Sequence, residues 1–209
     1  RDILWISDDM YESILYTKDK FVNMAMLSPE LKAKTVVLNG VSKAYAMTGW
    51  RIGYMAGDEA LIKKIDIIQS QSTSNPTSIS QYASVEALNG DQTVIGEMVK
   101  VFARRRELIV NGLNAIPGIS CRLPDGAFYA YPNVTGLTKL KGWPAVAEKY
   151  TSPFLSSKVT AYFLEEAKVA VVPGIGFGTD EHVRLSFATS DENITEGLRR
   201  IKEAVEKLA

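Results

Sequence analysis

Lys43 and Arg51 stand eight residues apart in the stretch Ser42-Lys43-Ala44-Tyr45-Ala46-Met47-Thr48-Gly49-Trp50-Arg51-Ile52-Gly53-Tyr54. The apolar run Thr35-Val36-Val37-Leu38 precedes the lysine, and Ile52-Gly53-Tyr54-Met55-Ala56 follows the arginine. A primary amine and a guanidinium are therefore expected on neighbouring strand ends, facing one pocket. An amine condenses with a carbonyl, and a planar guanidinium grips phosphate oxygens in two parallel hydrogen bonds. The pair suits an aldehyde that also carries a phosphate. Pyridoxal phosphate has both groups.

The whole segment, with Gly49 and Gly53 bracketing Arg51, resembles the cofactor-lysine motif of the class I and II aminotransferases, the fold-type I pyridoxal-phosphate enzymes. It is similar above all to the aspartate aminotransferase branch. The resemblance implies a Schiff base at Lys43 and a phosphate held by Arg51. It also implies roles for an Asp-x-x-Tyr pair, which stands here as Asp8-Asp9-Met10-Tyr11. In such a pair the carboxylate, Asp8, keeps the pyridine nitrogen protonated so that the ring can take up electrons. The phenol, Tyr11, donates to the ring oxygen. In some relatives a serine three residues before the lysine binds the phosphate; here that position is Gly40.

Val183-Arg184-Leu185-Ser186-Phe187 alternates like a strand and resembles the family segment whose arginine grips the substrate α-carboxylate. That role falls to Arg184. An arginine in an otherwise apolar strand is costly unless paired, which favours a ligand or a buried acid. The implied reaction is transamination between an amino acid and a 2-oxo acid, of the aspartate/2-oxoglutarate type. A same-fold lyase, a prephenate or aromatic aminotransferase, and a non-catalytic interaction module are the alternatives. In the family the loop corresponding to Gln69 to Thr77 lies near the partner subunit's cofactor phosphate, so a homodimer is expected.

Plainer roles compete for several of these residues. Taken alone, Asp8 would cap a turn and Tyr11 would be a half-buried core aromatic. Phe128 and Tyr129 are read as core, with a wall of the pocket as the alternative for either. His182, the only histidine, is read as structural. Arg104, Arg105 and Arg106 are adjacent on a helix and diverge by about 100° each, so they read as solvated faces plus an interdomain salt bridge. The glycines at 174, 176 and 178 lack the G-x-G-x-x-G spacing of a dinucleotide loop and suggest a tight loop near substrate.

Composition excludes other classes. Lysine plus arginine and aspartate plus glutamate number 24 each, so no basic field recruits nucleic acid. One cysteine, Cys121, cannot form an internal disulfide, and no Cys/His cluster has metal-ligand spacing; a cytoplasmic setting fits. No apolar run approaches the roughly 20 residues of a membrane span.

The elements that must position these groups form an α/β chain. A buried parallel strand over Ile3 to Ile6 delivers Asp8, and the strand Thr35 to Leu38 delivers Lys43. Ser28 caps a short helix through Lys34 with proline at its first position. Asp58 caps a helix through Ile68 with Leu61, Ile62, Ile65 and Ile68 inward. Helices follow over 78–89 and from Asp91 to about Ala115. The domain changes inside the latter, giving a remainder of the mostly parallel large domain over 1–100 and a smaller α+β domain over 101–209. In the second, a hairpin of 119–122 and 127–131 is expected, then a helix over 157–167 facing inward through Val159, Phe163 and Leu164. A strand over 169–172 and a helix over 193–208 capped by Ser190 or Asp191 complete it. Family members are roughly twice this length, and their earlier half supplies the phosphate-cradling loop and the ring stacked on the cofactor. The chain thus reads as a C-terminal half, expected to be inactive alone.

Overall fold

The computed structural model describes residues 3–209. These fall into two compact units, one ending at Val99 and one running from Lys100 to Ala209.

In the first unit, β1 (Trp5–Asp8) runs parallel to β2 (Thr35–Asn39), with Asp8 opposite Leu38. β3 (Tyr54–Ala56) then returns antiparallel, with Asn39 opposite Tyr54. The order β1-β2-β3 leaves β2 central, and its Thr35 and Val36 are buried with Ile14 and Val41. The parallel pairing agrees with the sequence, but the expected burial of the first strand does not. Ile6 is 69% exposed, and Ile3, Leu4 and Trp5 are exposed with it. β1 pairs on one side only, and an apolar run reports only what a strand prefers to bury.

Helix starts follow local chemistry. Ser28 Oγ accepts from Leu31 N at 3.2 Å ahead of α1 (Pro29–Ala33), and Asp58 accepts from Leu61 N at 3.1 Å ahead of α2 (Glu59–Ser72). α2 continues a turn past the expected end at Ile68, because residues 69–72 hold no breaker. It stops where Ser74 takes a left-handed φ of 58°. Ile68 is consequently exposed rather than inward. α3 (Ser78–Asn89) ends at Gly90 and is followed by α4 (Thr93–Asn114).

The second unit is built on Phe102, Ile109, Val110 and Leu113 of α4, packed with Phe163, Phe187, Ile201 and Val205. Its antiparallel sheet has the order β4 (Tyr129–Ala130), β6 (Val183–Ser186), β5 (Val172–Pro173). The hairpin expected of 119–122 and 127–131 does not form. Residues 119–122 contribute a single bridge, Ser120 to Asn133, and β4 pairs with β6 instead. Ala127 adopts a φ of 59°, which turns the chain out of the extended path a hairpin needs.

After α5 (Trp143–Lys149), α6 (Leu155–Tyr162) passes into a π-helical turn over Phe163–Ala167. The wider turn breaks the 3.6-residue period. Tyr162 and Phe163 are therefore both buried, while Leu164 faces outward. α7 (Asp191–Glu206) is capped by Ser190, whose Oγ accepts from Asn193 N at 3.2 Å.

The arginine run also departs from expectation. Arg104 Nε and Arg105 Nε both donate to Asp191, at 3.0 and 2.9 Å, and all three residues lie in the second unit. The 100° divergence holds at Cα, but a guanidinium on a three-methylene stem reaches around the helix. Hydrogen bonds from Arg104 and Arg105 hold the Asp191 carboxyl below the usual carboxylate range.

Candidate active site

In the first unit, the register Asn39 to Tyr54 puts the end of β2 beside the start of β3. Lys43 and Arg51 lie on the connection between those two ends. This connection is strained at two places: Ala46 has φ 53° and Arg51 has φ 51°, both left-handed and neither glycine. Such conformations cost about 1–3 kcal/mol each and persist where the surroundings enforce them. Arg51 Nη1 donates to Thr48 O at 2.8 Å, which ties the side chain to its own turn. Lys43 Nζ stands 5.9 Å from the centroid of the Tyr11 ring.

Asp8 ends β1, level with Leu38 of β2, and so shares an edge of the sheet with that connection. The neighbouring acids differ in what they already hold. Asp9 is 3% exposed; it accepts from Ser7 Oγ at 2.6 Å and from Asn23 Nδ2. Glu12 accepts from Asn39 Nδ2 at 2.6 Å. Asp8 is exposed and accepts only from Met10 N, at 3.3 Å. Among the described residues no ion pair engages Asp8, Lys43 or Arg51. By register, Asp8 and the connection that carries Lys43 and Arg51 thus stand at one end of one sheet, with the Tyr11 ring beside the lysine.

Gly40 shows why no side chain is present there. A Cβ would sit 3.1 Å from Ile52 O and Met10 Cε and 3.2 Å from Gly53 Cα, so two chain segments pass where a serine would begin. A cavity of about 760 Å³ opens along the ends of β2 and β3 and α2, lined by residues including Met10, Asn39, Gly53, Tyr54, Ile62 and Gln69. None of the candidate residues lines it. Partial burial, with Glu12 and Tyr45 nearby, pushes the Tyr54 phenol up.

In the second unit, Arg184 lies mid-strand in β6, opposite Val172 of β5. It is half-buried, and among the described residues no acid pairs with it. Its Cζ lies 4.5 Å from the Tyr129 ring centroid and 4.4 Å from that of Phe177. The sequence left Tyr129 as core and passed over Phe177. The signal available was an aromatic set among the glycines of Gly174-Ile175-Gly176-Phe177-Gly178. His182, which bridges to Asn133 just before β6, stacks on Tyr131 at 4.8 Å. Among the described residues no group of His, Cys, Asp and Glu has the arrangement to hold a metal ion, and no helix is long and apolar enough to cross a membrane.

The profile of the family "Aminotransferase class I and II" matches residues 1–201. An aspartate aminotransferase of Rhizobium meliloti is 49% identical over 202 residues, covering 97% of this chain and 48% of that protein. An aspartate/prephenate aminotransferase of Nitrosomonas europaea is 50% identical over 201 residues, covering 96% and 49%. The crystal structure of the aspartate aminotransferase from Rhizobium meliloti superposes with a TM-score of 0.88 at 50% identity, covering 98% of this chain and 50% of that one. An aromatic aminotransferase from Pyrococcus horikoshii OT3 superposes with a TM-score of 0.85 at 33% identity, covering 99% and 52%. The chain spans about half the length of the curated relatives it matches. With two mixed α/β units whose fold and sequence both follow these proteins, the chain belongs to the class I and II aminotransferases.

Proposed function

We propose that the protein at its full encoded length transfers an amino group between an amino acid and a 2-oxo acid with pyridoxal phosphate, and that Lys43 carries the amine to which the cofactor's aldehyde is attached. The observation that carries this reading is the set of charged groups without ion partners at one sheet end. Asp8, Lys43 and Arg51 lie together there while Asp9 and Glu12 are committed to local hydrogen bonds. That donor set fits a phosphorylated pyridine aldehyde: Arg51 for the phosphate, Lys43 for the aldehyde, Asp8 for the ring nitrogen and Tyr11 for the ring oxygen.

When bound, the cofactor supplies an electron sink for the pair released at the substrate Cα. Asp8, as a carboxylate, keeps a proton on the pyridine nitrogen. Tyr11 donates its phenolic hydrogen to the ring oxygen, and its ring lies beside the Lys43 amine. Lys43 would act as general base toward the substrate Cα proton and, as general acid, would deliver that proton to the cofactor carbon that carried the aldehyde. Arg184 binds the substrate carboxylate through its two parallel N–H donors and so fixes the Cα–H bond in orientation. Aspartate and related dicarboxylic or prephenate-type substrates follow from the relatives' names. The first unit is read as part of a cofactor-binding domain and the second as a smaller α+β domain, in a homodimer.

Borohydride reduction after addition of pyridoxal phosphate, followed by peptide mass analysis, tests the reading. One cofactor adduct on Lys43 is expected, and Lys43→Ala should lose both the adduct and turnover. Normal transamination by Lys43→Ala would overturn the assignment.

A further inference from the structure

The guanidinium of Arg184 is flanked by two rings that come from different elements. Tyr129 belongs to β4, which pairs with β6 through Tyr129 and Ser186. Phe177 ends the 3₁₀ turn Gly174–Phe177. Phe177 makes its edge contact with Tyr131, at 6.4 Å and 89°, and Tyr129 leans on Phe128 at 4.9 Å. The two rings that flank the guanidinium are thus held by different elements and by different aromatic neighbours.

The turn that carries Phe177 is fixed at its base and open at its tip. At the base, Gly174 N donates to His182 O at 2.9 Å, and Tyr131 Oη donates to Gly174 O at 3.3 Å while sharing a 2.7 Å hydrogen bond with Thr179 Oγ1. At the tip, a Cβ added to Gly176 or Gly178 would meet nothing within 4 Å, and Gly178 has a φ of 87° that glycine tolerates. Phe177 itself is 49% exposed. An aromatic of that exposure gains little from burial; its closest partner is the cation, at 4.4 Å.

We propose that Phe177 is a positioning residue: with Tyr129 it forms an aromatic clamp that fixes the plane of the Arg184 guanidinium and strips water from it before a carboxylate arrives. The inference rests on the reading of Arg184 as the carboxylate site. A cation beside an aromatic face gains about 0.5–1 kcal/mol at exposed sites and more when desolvated. Holding a planar fork in one orientation also removes rotamer freedom that a carboxylate would otherwise have to freeze. The clamp acts on affinity for a planar anion, not on overall fold.

The test uses the protein at its full encoded length, with succinate and its diamide as probes, read by calorimetry and by the Arg184 Nε–Hε resonance. Phe177→Leu keeps an apolar side chain but removes the ring. It should weaken succinate about tenfold, leave the much weaker diamide binding unchanged, and move the Arg184 Hε resonance downfield as the ring current is lost. Phe177→Trp should restore succinate affinity to within about threefold. Succinate binding by Phe177→Leu equal to that of the native protein, or equal losses in Phe177→Leu and Phe177→Trp, would overturn the clamp. Arg184→Lys separates the two ideas. If it binds succinate normally, the carboxylate reading itself fails; if it loses succinate while Phe177→Leu does not, only the clamp fails.

Discussion

The same substitution, glycine to alanine, should have opposite effects at Gly174 and Gly176, two residues apart on the turn beneath Arg184. At Gly174 the added Cβ would press on His182 O, fall 2.5 Å from Thr179 O and lie 2.8 Å from Tyr131 Oη. Two of those atoms are backbone and cannot swing away. Relief requires moving the turn off β6, which strains three hydrogen bonds: Gly174 N to His182 O, Thr179 N to Gly174 O at 3.2 Å, and Tyr131 Oη to Gly174 O. At about 0.5–1.5 kcal/mol net each, with overpacking of about 1–3 kcal/mol as the alternative if the turn stays, Gly174→Ala should cost about 3 kcal/mol. At Gly176 no atom lies within 4 Å of the new Cβ and the φ is not left-handed. Gly176→Ala should therefore be neutral or stabilise by up to about 1 kcal/mol, through lost freedom in the unfolded chain. Urea unfolding of the full-length protein, followed by circular dichroism, reads the difference. For a slope near 2 kcal/mol/M, about 3 kcal/mol lowers the midpoint by about 1.5 M. Equal midpoints for the two variants, with unchanged slopes, would refute the steric argument and the fixed base of the turn with it.

Other outcomes follow from single contacts. Ser190→Ala removes the oxygen that accepts from Asn193 N and should cost about 1 kcal/mol, checked by the same unfolding measurement; Ser190→Gly should recover most of it. Asp180 closes the start of α6 by accepting from Leu155 N at 2.8 Å, and from Ser156 N at 2.9 Å and Ser156 Oγ at 2.8 Å. Burial pushes its carboxyl up, but the bonds from Ser156 and Leu155 outweigh that and hold it low. A depressed carboxyl contributes stability that is full above the unfolded value of about 4 and is lost as pH falls through the folded value. Asp180→Asn should accordingly flatten the acid limb of the stability profile, and an unchanged limb would remove the carboxylate from that role. Asp191→Asn should weaken the hold on Arg104 and Arg105, with an effect that shrinks as salt is added; a salt-independent loss would mean the contact is steric rather than ionic.

Much of the chain was legible wherever the deciding contact is local. Ser28, Asp58 and Ser190 each cap a helix through an amide three residues on, a distance that residue type and spacing can report. The apolar runs located β1, β2 and β6. Periodicity failed where the backbone left its regular path: at the π-helical turn that exposes Leu164, and at Ala127, whose left-handed φ sends β4 to β6.

What only the tertiary structure decided are the contacts between residues far apart in the chain. The sequence singles out Asp8 by its spacing to Tyr11 but does not show what the adjacent Asp9 holds. Asn23, fourteen residues on, donates to Asp9, while among the described residues no ion pair engages Asp8. Three arginines in a row look divergent until Asp191, 86 and 87 residues away, draws two of them together. Arg184 was visible as a charge in an apolar strand, but its flanking rings were not, because Tyr129 reaches it by strand pairing and Phe177 by the return of a turn. Local hydrogen bonds and burial preference are written into windows of a few residues. Partner choice across tens of residues depends on which segments the fold brings side by side, and no window of sequence contains both partners.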